Sequence, residues 1–197
     1  MSNRTRETRR NILQATLDLL LASEGTNTRM SDIAKRAGVS RQAVYLHFDN
    51  RADLLIAATR LLDDQLGSEA RLAPSRAALS GQERLDAFVL AWGNYLPEIY
   101  GAARAMIAMS ATDADAAEDW GKRMLDMREG CAAAIDALEQ DGTLAPGFTA
   151  AQATDVLWIL LSVGTWEQAT QTCGWSQETY IRMLTSSARK LFCQDLQ

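Results

Sequence analysis

The sequence predicts an all-α protein of about nine helices, an N-terminal three-helix unit followed by a larger helical body. Three observations point this way. Apolar residues recur at three- and four-residue steps through nearly every long segment. No run alternates apolar and polar residues between turn signals, as a half-buried strand would. Only three prolines interrupt 197 residues that are 47% hydrophobic, enough to bury a core without disulfide or metal staples.

The first helix is expected over residues 5–23, with Ile12, Ala15, Thr16, Leu19 and Leu20 on one face and a stop at Gly25. Met30, Ile33, Ala34 and Ala37 give a short second helix, with Asp32 near the positive end of its dipole. Gly38 ends it, Ser40 is placed to cap a third helix, and Val44 and Phe48 give that helix an apolar face. Asn50 reads as the next N-cap, with Asp53 three residues on, before a long helix through Leu54, Leu55, Ala58, Leu61, Leu62 and Leu66 to Gly67. Residues 67–81, which contain Pro74, are the candidate hinge or boundary. Further helices are expected at 82–95, 98–110, 114–140, 150–173 and 177–193, with a glycine- and proline-bearing break at 141–147. The working division is 1–50 as one domain and 51–197 as the other.

Composition narrows the function. The net charge is −5, yet residues 1–60 carry +4 and the remainder −9. A basic head on an acidic body suits an anionic partner while the body discourages nonspecific contact. The three cysteines, Cys131, Cys173 and Cys193, are far apart, which fits neither a disulfide framework nor a zinc site and implies a reducing, cytoplasmic setting. The polar, basic N-terminus carries no secretory signal, and the strongest apolar run, Val156 to Trp166, is about half of what a bilayer span needs, so no membrane partner is expected. His47 is the only histidine, with no second ligand-type cluster beside it. No metal, cofactor or enzymatic activity is expected, because no nucleophile–base pair or phosphate-cradling glycine loop is present.

The second and third helices, joined through Ala37, Gly38, Val39 and Ser40, have the length and punctuation of a helix-turn-helix. Such a motif puts the start of its second helix into the major groove, which makes Arg41, Gln42 and Ala43 the base-reading candidates. Arg41 suits guanine O6 and N7, Gln42 suits adenine N6 and N7, and Ala43 suits at most a thymine methyl. The stretches Ile12-Leu13-Gln14-Ala15, Glu24-Gly25, Ile33 to Ser40, Val44 to Phe48 and Asn50 to Leu54 together closely resemble the TetR family. The resemblance covers residues 9–55. It implies an all-α homodimer with paired DNA-reading heads and a C-terminal domain that usually binds an inducer. It also implies backbone contacts at the positions of Tyr45 and His47, although Tyr45 has the alternative of burying its ring and satisfying its hydroxyl locally, and His47 that of a packing role. Arg51 stands where the family usually has lysine and keeps the charge a phosphate needs, beside a helix N-terminus that adds donors. Arg29 and Ser31 flank the second helix as further backbone contacts, and Arg4, Arg6, Arg9 and Arg10 form a candidate flexible arm. Where the family often has a Ser or Thr cap this chain has Arg29, so Thr28 is the expected substitute.

In the second domain two stripes, Leu157, Leu160, Leu161 and Gly164, and Tyr180, Leu184, Ser187 and Leu191, either fill the intrachain core or meet a twin subunit in a four-helix bundle. Trp92, Tyr95, Met106, Met109, Trp120, Met124 and Trp166, with Tyr100 and Met127 nearby in sequence, supply an aromatic and methionine lining for an apolar small-molecule ligand. The expected function is a repressor released from a palindromic double-stranded DNA operator by that ligand. The competing reading is a helical ligand-binding or partner-docking protein without operator recognition.

Overall fold

A computed structural model describes residues 3–22 and 28–194. Among these residues the chain is helical, with a single isolated bridge between Leu144 and Cys193 in place of any strand. Its elements are α1 (Asn3–Ala22), α2 (Met30–Arg36), α3 (Arg41–Tyr45), α4 (Arg51–Leu66), α5 (Ser68–Arg71), α6 (Ala73–Arg76), α7 (Gly81–Ser110), α8 (Ala114–Gln140), α9 (Ala150–Leu160), α10 (Val163–Glu167), a π-helical turn (Gln168–Thr172) and α11 (Gln177–Phe192). No helix of the described residues is long and apolar enough to cross a membrane. The expected stop at Gly25 lies outside the described residues.

The chain forms two compact units, Met1–Gly67 with Glu98–Lys122, and Ser68–Pro97 with Arg123–Gln197. The boundary expected after residue 50 falls inside the first unit. The reason is burial: Ala52, Leu54, Leu55, Ala58 and Leu62 of α4 share one core with Ile12, Leu17 and Leu20 of α1, Ile33 of α2, and Val44 and Phe48. Ala102, Ala105, Met106 and Ala116 complete that core. Arg60 reaches the largely buried carboxylate of Asp119 at 2.7 Å and neutralises it there.

Local chemistry fixes the turns of this unit. Gly38 sits at φ +69°, a conformation that a Cβ disfavours, and so redirects the chain between α2 and α3. Ser40 Oγ accepts the Ala43 N–H at 3.1 Å, capping α3. Asn50 Oδ1 accepts the Asp53 N–H at 2.9 Å, while Asp53 Oδ2 accepts from Asp49 N–H at 3.2 Å, a capping pair displaced by one residue from the usual box. The N-cap position of α2 is Arg29, not the expected Thr28, and the Arg29 side chain makes no capping hydrogen bond. The Arg29 carbonyl accepts the Asp32 and Ile33 N–H groups instead.

After residue 67 two expected boundaries change. Helices expected at 82–95 and 98–110 are one helix, α7, that continues through Pro97. Proline cannot donate to the carbonyl four residues back, which is that of Gly93. Gln177 of α11 fills the vacancy: its Nε2 donates to Gly93 O at 2.8 Å while its Oε1 accepts from Trp166 Nε1 at 2.9 Å. The approach is close, because a Cβ on Gly93 would lie 2.3 Å from Ile181 Cδ1. Conversely, the single helix expected at 150–173 is broken. Ser162 leaves the helical conformation and caps α10 by accepting the Thr165 N–H, while Thr165 Oγ1 donates to Ile159 O at 2.8 Å. Gln177→Leu removes both of its bonds and strands the Gly93 carbonyl, at an expected cost of about 1–3 kcal/mol. Urea unfolding measures it, and an unchanged midpoint contradicts the proline-compensating role.

All three cysteines are free. Burial pushes the Cys131 thiol up to about 12, so it remains an unreactive core group at neutral pH.

Candidate nucleic-acid interface

The third helix is held from behind and bare in front. Val44 and Phe48 anchor it in the core, and the Arg9 guanidinium of α1 lies 4.8 Å over the Phe48 ring. Arg41 and Gln42 of its first turn are exposed, and Ala43 beside them is half-buried. The Arg41 guanidinium rests 5.7 Å over the Tyr45 ring, with Nη2 donating to the Tyr45 hydroxyl at 3.5 Å. Tyr45 is 42% exposed, so its ring lies along the open face rather than in the core.

His47 is half-buried after α3, and Arg51 is half-buried as the first residue of α4, next to that helix's N-terminal N–H groups. Arg29 and Ser31 are exposed at the start of α2. The fold therefore brings Arg41, Gln42, Ala43, Tyr45, His47 and Arg51 onto consecutive turns of one short segment, with Arg29 and Ser31 at the entry to the preceding helix. Arg4, Arg6, Arg9 and Arg10 depart from expectation: they belong to α1, and Arg9 is committed to Phe48. Arg36 is also committed, to Asp18 at 3.0 Å. A hydrogen bond from Gln14, followed by the Arg36 contact, holds the Asp18 carboxyl below its ordinary range.

One residue of this surface escaped the sequence analysis. Leu46 is 81% exposed immediately after Tyr45. The signal for it was present in the helical period, which places position 46 opposite the buried positions 44 and 48.

The residues expected to line a ligand pocket are divided between the units. Met106, Met109 and Trp120 pack with the core of the first. Trp92, Tyr95, Met124 and Trp166 lie in the second, where Met124 is half-buried and Trp166 is spent on packing and its bond to Gln177. Trp92 and Tyr95 line a cavity of about 30 Å³ with Arg71, Leu72 and Ala91, room for about one water. The Trp92 Nε1 is buried there without a partner among the described residues, and the Arg71 guanidinium lies 5.3 Å over Tyr95.

The two C-terminal stripes are resolved in part toward the intrachain core: Leu157, Leu161, Tyr180 and Leu184 are buried. Leu191 of the second stripe is exposed, as are the neighbouring Ile159 at 61%, Met183 at 43% and Trp175. A groove of about 260 Å³ runs between Leu160, Gln168, Cys173, Trp175, Tyr180 and Met183, and the buried Tyr180 hydroxyl has no partner among the described residues.

Comparison with known proteins is consistent with this geometry. Residues 12–58 match the family profile described as bacterial regulatory proteins, tetR family. A curated relative, the HTH-type transcriptional regulator AcrR of Shigella flexneri, is 38% identical over 61 residues, 31% of this chain and 28% of that protein. The aligned stretch thus spans under a third of that relative's length. Solved structures match over nearly the whole chain at lower identity. A putative transcriptional regulator from Saccharomonospora viridis in complex with choline superposes with TM-score 0.82 at 20% identity, covering 96% of this chain and 99% of that one. NalD, the secondary repressor of the MexAB-OprM multidrug efflux pump in Pseudomonas aeruginosa, does so with TM-score 0.66 at 22% identity, covering 99% and 100%.

Proposed function

We propose, for a chain that belongs to the TetR family of bacterial regulatory proteins through its N-terminal domain, that it is a repressor which binds a palindromic DNA operator as a homodimer and is released by a small, largely apolar ligand. The observation that carries this is the outward presentation of Arg41 and Gln42 on the first turn of α3, with Arg51 at the start of α4. Base-reading and phosphate-holding groups are thereby displayed together on a helix whose other side is locked in the core. The family and the relative matched in sequence are regulators, not enzymes. A ligand carrier that had abandoned operator recognition has no use for this constellation, so that reading is not favoured. Operator binding places the protein's action in the cytoplasm.

Dimerisation is supported by the exposed Ile159 and Met183, which leave apolar surface uncovered on the second unit. One short head reads only a few base pairs, and two heads about 34–36 Å apart reach successive major grooves. Sedimentation of Ile159→Asp/Met183→Asp should show a monomer that binds operator weakly, and a persisting dimer excludes this face. Ligand sensing is supported by the shared fold of the choline-bound neighbour. The ligand acts by binding better to a head spacing that does not fit the operator.

Fluorescence polarisation with DNA from upstream of the protein's own gene tests the central reading. Sequence-dependent binding that weakens steeply with salt is expected. Equal affinity for scrambled duplexes in every condition rejects it.

A further inference from the structure

The buried Phe48 follows the buried Val44 by four positions, and Leu46 stands midway between them in sequence. At about 100° per residue the two buried side chains set the inward direction of this helical turn, and Leu46 points roughly 180° away from it. The turn is continuous through this point, with Leu46 N–H donating to Gln42 O at 3.2 Å and Phe48 N–H to Val44 O at 3.1 Å. Gln42, one turn earlier, shares the outward side, and both are exposed. A single exposed leucine is ordinary on a protein surface. This one directly follows a helix whose exposed Arg41, Gln42 and Tyr45 offer hydrogen-bonding and charged groups, and it is 81% exposed.

Resting on the operator-binding function proposed above, we propose that Leu46 reads thymine through its 5-methyl group. Of the groups that base edges present in the major groove, that methyl is the apolar one; the others are hydrogen-bond donors and acceptors. A branched aliphatic side chain has nothing to offer them, and it gains only by covering a methyl against water. The same chemistry assigns a division of labour along this short segment: Arg41 and Gln42 recognise polar base edges, and Leu46 recognises a methylated one. Covering one methyl corresponds to about a fourfold change in affinity.

The test uses the full-length protein and duplexes it selects from a random pool. Each thymine of the selected site is replaced singly by deoxyuridine, which keeps the base pair and deletes only the methyl. In the native protein one such replacement per half-site should weaken binding about fourfold. Leu46→Ala should lose affinity for the thymine site and be indifferent to that replacement, and Leu46→Met should retain the preference. Neither variant should change the salt dependence, because no phosphate contact is removed. If no methyl deletion matters, or if Leu46→Ala keeps the same deoxyuridine penalty, the inference is overturned. A uniform loss of affinity with a shallower salt slope would overturn it in favour of a backbone role. Failure to select any sequence would instead remove the operator-binding function itself, and this inference with it.

Discussion

Replacing Arg41 and Gln42 together with alanine is expected to erase sequence preference while leaving nonspecific DNA binding in place. Each bidentate base contact is worth about 1–3 kcal/mol of discrimination, so the pair accounts for about 2–6 kcal/mol in each half-site. On the proposed function Tyr45, His47 and Arg51 remain as phosphate contacts, so the variant should still bind DNA in a salt-dependent way. The fold should survive, because both side chains are exposed and Ser40, not either of them, caps the helix. Circular dichroism and a polarisation series with cognate and scrambled duplexes check both halves. A variant that still prefers its site would move base reading to other residues.

The second large effect is on stability. Phe48 is only 1% exposed, and it closes the core behind α3. Phe48→Ala should cost about 3–5 kcal/mol, through lost burial and the cavity left behind, and the contact with Arg9 goes with it. That is a large share of the roughly 5–15 kcal/mol that holds a typical domain together. Phe48→Leu keeps most of the volume and should cost much less. Urea unfolding together with operator binding reads this out: the alanine variant should lose both stability and DNA affinity, although position 48 does not face DNA. Retained stability would mean that α3 does not depend on this anchor.

The head was legible in the sequence because its determinants are local. Gly38, Ser40 and Asn50 act within three or four residues of themselves through a positive φ or a side-chain cap, and a linear pattern records such effects directly. The spacing of Val44 and Phe48 fixed which face of α3 turns inward, and with it the presentation of Gln42 and Leu46. The arginines near the N-terminus were less legible. Whether Arg9 is an arm residue or a packing residue depends on Phe48, 39 positions away in the chain.

The body shows the opposite case. Pro97 is a helix-ending signal in any local reading, and its neighbours gave no hint that α7 would continue. Continuation rests on Gln177, eighty-four residues away from Gly93, supplying the donor that proline lacks. The apolar periodicity of 150–173 likewise did not reveal the Ser162 break, since a serine suits a cap and a helix interior alike until its partners are placed. The distribution of methionines and aromatics between two units was beyond a linear reading as well: composition supplies apolar surface, and packing alone assigns each side chain to one core or another. Helical class, the turn chemistry of the head and its outward-facing residues follow from interactions over one or two turns. The continuity of α7, the break after α9 and the division of the core follow from hydrogen bonds and burial between distant segments, which exist only once the chain has folded.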